Sequence, residues 1–281
     1  MTIKLVASDL DGTIISENNY INESNLDAIN MINNNNIDFA ICTGKSYSVS
    51  KKICEKCNAT YGIFNNGSQI YNLKTGVPIY KNVLAFSDIS KCYEIAKKYN
   101  LHVHAYSDNK LVTERLEFLD FRNFKLQKDP GFEFVVVPNV LEYIQKNNLL
   151  IYQFVISSYS SLENVKEEIL STQNVSILKI SKFGQYMDKI LNKEYEYLSI
   201  VPFNTSKSNA LDILSKYLSI TNNEIMAIGD NLNDIDMVRQ SGVGVAVANA
   251  YSELKEVAKY TTTKDVSSGG FAEAVFKFIE K

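Results

Sequence analysis

The stretch "VASDLDGTII", residues 6–15, ends an apolar run in two carboxylates, Asp9 and Asp11, one residue apart, with a glycine and a threonine directly after. The branched residues ahead of the pair ("IKLVAS") read as a buried strand. Leu26, Ile29 and Ile32, spaced by three, read as the helix behind it. This strand, loop and helix unit then recurs. "NNNN" at 33–36 supplies residues that tolerate turns, and "IDFAICTGKS" starts a second apolar strand. "YGIFNNGSQIYNLKTGVPIY" follows as short strands parted by Asn-Gly and Thr-Gly turns.

The texture changes between about Leu84 and Glu196. A helix at "DISKCYEIAKKY", alternation at "LHVHAYSDNKLVTE", a strand at "YQFVIS" and a helix at "LENVKEEIL" give mixed α and β signals. After "YLSIVP" the first texture returns. "SNALDILSKYL" carries Leu211, Leu214 and Leu218 on one face, "EIMAIG" is an apolar strand, "DNLNDIDMVRQ" opens a helix, "GVGVAVANA" is a further strand and "GFAEAVFKFIEK" closes with a helix. Alternation at both ends around a different middle predicts an α/β protein. Its core, 1–83 and 197–281, is a Rossmann-like, doubly wound and mostly parallel sheet, interrupted by an α+β domain at 84–196.

Composition narrows the partners. With 281 residues, 45% hydrophobic and 22% charged, the chain suits one large or two modest globular domains. A net charge of -3 argues against a strongly basic surface overall, so nucleic acid is not expected as a partner. No secretory signal precedes the first strand, and the apolar runs at 132–137 and 149–156 are too short to cross a bilayer. A cytoplasmic protein without membrane partners is expected, either a monomer or a weak homodimer. Its four cysteines fit a reducing compartment. Cys54 and Cys57 form a CxxC, but Cys42 and Cys92 supply no second ligand pair, so the thiols are assigned to packing.

Open parallel sheets bind ligands outside the carboxyl ends of their strands. Three expected strands end there in polar residues: Asp9 and Asp11, then Thr43, then Asp230 with Asn233 and Asp234 just beyond. Two unit charges ~4 Å apart repel by ~4 kcal/mol at an effective dielectric of 20, so converging carboxylates call for a cation. An all-oxygen set without histidine or thiol suits Mg2+. Lys207, in the first turn of its helix, opposes the macrodipole, which suggests an anion beside it.

"DLDGTI", "ICTGK", "SKSNAL" and "GDNLNDIDM", in that order and with a long insert between the second and third, resemble the four signature motifs of the haloacid dehalogenase-like hydrolase superfamily. "FNNGSQI" and "VGVAVANA" make the chain similar to its Cof-type phosphatase branch, in which the insert is a C2-type cap governing substrate specificity. The resemblance implies a Mg2+-dependent phosphatase hydrolysing small-molecule phosphate monoesters, sugar phosphates or phosphorylated cofactors, through an aspartyl-phosphate. It implies Asp9 as nucleophile and Asp11 as general acid and base. Mg2+ would be held by the Asp9 carboxylate, the Asp11 carbonyl and Asp230, with Asp234 supporting the metal shell. The phosphoryl oxygens would be held by the Leu10 and Gly44 backbones, Thr43, Lys207 and Asn233. Lys45 stands where arginine is common, and "SSGG" at 267–270 replaces an acidic residue followed by Asp-Gly-Val.

Other readings of these motifs fail on spacing. A calcium loop counted from Asp9 meets Ile14 and Tyr20 where it needs glycine and glutamate, and "GVGVAV" lacks the third glycine of a dinucleotide fingerprint. His102 and His104, on one side of a strand, are assigned to partly exposed surface. A phosphomutase on the same scaffold is the nearer alternative function, and a phosphoacceptor switch the more distant one.

Overall fold

"IKLVAS" forms β1 (Leu5–Ser8), all four residues buried, in a computed structural model that describes residues 2–16, 20–115, 132–171, 174–183 and 195–279. Helix α1 (Glu23–Asn34) follows; its N-cap Asn22 accepts from the Ser24 amide, and Ala28, Ile29 and Ile32 face inward. β2 (Asp38–Cys42), α2 (Tyr47–Lys56), β3 (Tyr61–Phe64), β4 (Gln69–Asn72) and β5 (Val77–Lys81) complete the first segment.

The backbone packs as two units, Met1–Lys81 with Ser206–Lys281, and Asn82–Thr205. In the second unit α3 (Phe86–Lys98), β6 (His102–Tyr106), β7 (Lys110–Thr113), β8 (Glu133–Val136), α4 (Val140–Lys146), β9 (Gln153–Ser158), α5 (Glu163–Leu170), β10 (Val175–Phe183) and β11 (Tyr195–Pro202) form a six-stranded sheet, ordered β10-β11-β9-β6-β7-β8, with helices. Val103, Ala105, Phe154, Ile156, Leu198 and Ile200 pack with Ile89, Ala96, Ile144 and Val165 of the helices, so one sheet face is the hydrophobic core of this unit. The expected return to the first unit at 197 falls inside β11, whose residues pair with β9 and β10. An apolar strand reads alike whichever sheet it joins; long-range pairing moves the crossing to 205.

Because strand side chains alternate, His102 and His104 lie on the face opposite Val103 and Ala105. Both are buried, at 6% and 4% exposure, which corrects the expectation of partly exposed surface. His102 Nε2 lies 3.2 Å from the Thr113 hydroxyl. Burial pulls both imidazoles down to about 3, so they are neutral.

The chain re-enters the first unit at α6 (Lys207–Leu218), followed by β12 (Ile225–Gly229), a 3-10 turn at Leu232–Asp234, α7 (Ile235–Gln240), β13 (Val243–Ala246), α8 (Ser252–Val257), β14 (Tyr260–Thr261) and α9 (Gly270–Ile279). The eight strands are ordered β14-β13-β12-β1-β2-β3-β4-β5. Pairing is parallel from β14 to β3 and antiparallel at β4 and β5. This is the doubly wound, Rossmann-like core. Ser8 is in register with Ile228 on one side and Ile41 on the other, so three neighbouring strands end level. Asp9, Thr43 and Asp230 each stand just past one of those ends. Among the described residues no helix is long and apolar enough to cross a membrane.

Candidate active site

Asp9 is fixed from its backbone outward. Its amide donates to the Ile228 carbonyl at 2.9 Å, its carbonyl accepts from the Ser8 hydroxyl, and its side chain is buried. Lys207, 1% exposed, reaches it from the first turn of α6, with Nζ 2.5 Å from Asp9 Oδ1 and 2.7 Å from Asp234 Oδ1. The α6 N-cap, Ser206, accepts from the Asn209 amide, so a capped helix end delivers the lysine. A buried ammonium with two carboxylates explains a cation at the unfavourable end of a helix.

Asp234 is a brace. Its Oδ1 takes Lys207, and its Oδ2 accepts from the amides of Asp230 at 3.2 Å and Asn231 at 3.0 Å, folding the loop after β12 back on itself. Gly229 must be glycine because a Cβ there would collide with the Asp234 carboxylate. Asp230 is steered by Thr13, whose buried hydroxyl donates to Oδ1 at 3.1 Å. Gly12, at φ 85°, passes so close that a Cβ would strike that same carboxylate.

Asp9, Asp230 and Asp234 each offer an oxygen within 4.8 Å of the others. Burial holds the Asp9 carboxyl well above the usual range, and neighbouring Asp234 and Asp230 add to the rise against the pull of Lys207. Burial, with Asp234 beside it, pushes Asp230 up to about 6. Burial alone would lower Lys207, but Asp234 and Asp9 outweigh it and hold the ammonium above its ordinary range. One ammonium among three carboxylates leaves excess negative charge, and with hard oxygen donors only, the set fits a small divalent cation. Both Asp234 oxygens are engaged, whereas Asp9 and Asp230 each engage one oxygen in these hydrogen bonds, which leaves these two better placed to face such an ion.

Asp11 stands apart from this cluster. Its side chain is about half exposed and its carboxylate meets Lys45 Nζ at 2.6 Å. Thr43 is buried, its amide bonded to Ile63 and its hydroxyl oxygen accepting from the Lys45 amide. Leu10 buries its side chain while its carbonyl takes the amides of Ile14 and Ile15, winding the loop tightly after Asp9. Gly44 is exposed at the rim, and Asn233 Nδ2 donates to Asn66 Oδ1 at 2.9 Å. All nine residues singled out in the sequence therefore sit on loops, or on the first turn of α6, at one edge of this sheet.

A family description of haloacid dehalogenase-like hydrolases matches residues 6–275. The chain belongs to this family. A haloacid dehalogenase-like hydrolase from Bacteroides thetaiotaomicron has a similar structure, with a TM-score of 0.79, 25% identity, and coverage of 98% of this chain and 99% of that one. The sugar phosphatase BT4131 shares the fold at a TM-score of 0.75 and 19% identity, covering 98% of each chain. Among curated proteins, the 5-amino-6-(5-phospho-D-ribitylamino)uracil phosphatase YcsE of Bacillus subtilis is 26% identical over 268 residues, 95% of this chain and 92% of its own.

Several residues of this hydrolase escape sequence reasoning. Thr13 sits inside the quoted opening stretch, yet its task depends on Asp230, 217 positions away. Asn249 is similar: its Nδ2 donates to the Gly12 carbonyl and its Oδ1 accepts from the Val266 amide. The loop at 267–270 ties elements together, with the Ser267 carbonyl accepting from Asn22 at the start of α1 and Gly270 opening α9. Cys54 and Cys57 are buried, and burial pushes the Cys57 thiol up to about 12 and Cys54 higher still.

Proposed function

We propose that this hydrolase is a Mg2+-dependent phosphatase that acts on small phosphorylated metabolites through an aspartyl-phosphate on Asp9. The observation carrying this reading is the buried Asp9 carboxylate, gripped by Lys207 at the level ends of three parallel strands, with a second carboxylate, Asp11, two residues on and outside the cluster. In the first half-reaction an Asp9 oxygen attacks phosphorus in line, the bond from phosphorus to the ester oxygen breaks, and Asp11 gives its proton to the departing alkoxide. In the second, Asp11 takes a proton from water as that water attacks phosphorus, releasing inorganic phosphate and restoring Asp9. Lys207, Thr43, Asn233 and the backbone amides of Leu10 and Gly44 hold the phosphoryl oxygens against the repulsion of Asp9. Mg2+, held by the Asp9 carboxylate, the Asp11 carbonyl and Asp230, supplies further positive charge there when bound.

The second unit, Asn82–Thr205, is assigned substrate selection. A ribitylamino-uracil phosphate named for YcsE and the sugar phosphate named for BT4131 support a polyol or sugar phosphate, or a phosphorylated cofactor precursor, as substrate class. Four free, buried cysteines support a reducing, cytoplasmic setting. A screen of several dozen phosphorylated metabolites, with and without Mg2+, tests the reading by phosphate release. Hydrolysis that needs Mg2+ and vanishes in Asp9→Asn is expected. Turnover unchanged in that variant, or isomer formation without free phosphate, would overturn it.

A further inference from the structure

The turn joining β3 to β4 is unusual in its backbone. Asn65 and Asn66 both adopt left-handed conformations, at φ 49° and 55°, and Gly67 follows at φ 108°. Asparagine tolerates this region singly, but consecutive non-glycine residues there persist only where surroundings over-determine them. Here the surroundings are the loops carrying the phosphoryl-holding residues. The Asn65 amide donates to the Lys45 carbonyl at 2.9 Å and the Asn66 amide to the Thr43 carbonyl at 3.1 Å. A Cβ added to Gly44 would come within 3.0 Å of Asn66 Oδ1 and 3.2 Å of its Nδ2, so the Asn66 carboxamide lies directly over Gly44. A Cβ at Gly67 would strike the Ser206 carbonyl, the cap that precedes Lys207. Finally, Asn66 Oδ1 accepts from Asn233 Nδ2.

We infer that Asn66 is a positioning residue for the bound phosphoryl group, a role that rests on the phosphatase reading. Its carboxamide oxygen consumes one N–H of Asn233 and thereby aims the other, and its own NH2 lies over Gly44 beside the oxygens that Gly44 and Thr43 hold. A neutral side chain with both an acceptor and donors is required; a carboxylate of the same shape would keep the acceptor and face the phosphate with like charge. The loops after β2 and β12 thus reach the phosphoryl group as one interlocked surface, with Asn66 as the link.

The test is calorimetric binding of inorganic phosphate to the Mg2+-loaded full chain, in wild type, Asn66→Gly, Asn233→Ala and the double variant. Asn66→Gly keeps the left-handed backbone accessible while deleting the carboxamide. Each single variant is expected to weaken binding about tenfold, and the double variant no more than about twofold further, because one arrangement is lost in all three. Unchanged binding in Asn66→Gly, or losses that multiply in the double variant, would overturn the inference while leaving the phosphatase reading in place. A wild type that binds no phosphate would overturn both. Should Asn66→Gly fold poorly, Asn66→Asp takes its place: binding weakened more than tenfold at an unchanged melting temperature is expected, and undiminished binding refutes the role.

Discussion

Asp11 and Asp9 are two residues apart and live in different electrostatic worlds. Asp9 is buried against an ammonium, whereas Asp11 is half exposed and held by Lys45. On the proposed mechanism, that separation lets Asp9 act as the nucleophile while Asp11 carries protons. Asp11→Asn is therefore expected to slow alkyl phosphate hydrolysis by roughly a hundredfold or more, the usual worth of a general acid. With an aryl phosphate whose leaving group needs no proton, the same variant should accumulate phosphorylated enzyme, detected by intact-protein mass. Asp230 carries a second prediction. Its folded value of about 6 exceeds the ordinary 3.8, so the metal-free fold binds this proton more tightly than the unfolded chain does. Metal-free stability from this group is greatest below 3.8 and is lost as pH rises toward 6. On the proposed metal site Mg2+ would displace that proton, so the rise in melting temperature on adding Mg2+ is expected to be larger at about pH 7 than at about pH 5. An equal rise at both would refute it. At this scale the sequence is most legible where chemistry is local: "DLDG" and "GDNLND" spell out the acids because a strand end and a loop place them. Thr13 and Asn66 stand inside quoted motifs, but their tasks are not legible, because their partners lie 217 and 167 positions away.

Among the elements, β6 shows how a strand can hide polar residues. Alternation sends Val103 and Ala105 to the helices and His102 and His104 to the other face, where both are buried and His104 Nδ1 has no hydrogen-bond partner among the described residues. A folded value near 3 against an ordinary 6.5 means that protonation favours the unfolded chain. The stability these residues confer is fully present above 6.5 and drains away as pH falls from 6.5 toward 3. His104→Leu should flatten this acid limb of a melting-temperature profile, and an unchanged limb would exonerate the residue. Periodicity locates the helices and strands well, since each is a repeat of apolar residues. It misreads the start of "DNLNDIDMVRQ", which is a 3-10 turn before α7 because Asp234 turns back to cap the Asp230 and Asn231 amides. It also misjudges the burial of the histidines, because a polar residue in an alternating strand looks solvated until its second face is covered.

For the molecule as a whole, the α/β class and the interrupted core are legible from the return of one texture after another. The crossing point is not, because β11 is apolar and could serve either sheet. The assignment of selectivity to the second unit makes a prediction at this scale. Replacing Asn82–Thr205 by a short Gly-Ser linker should leave some hydrolysis of a small aryl phosphate while collapsing discrimination among metabolites. Discrimination that survives the excision would count against the assignment.

The strand order has a consequence for biosynthesis. β1 leaves the ribosome before either of its neighbours, and only β2 comes soon after it; β12 arrives beyond the entire insert. Until Ile225–Gly229 is made, β1 has one open edge, the kind of exposed template that invites association with other nascent chains. The contiguous second unit can fold in that interval, so it matures before the unit whose two segments flank it in sequence. The pocket around Asp9 comes into existence only once β12 and the loop to Asp234 have followed the insert out.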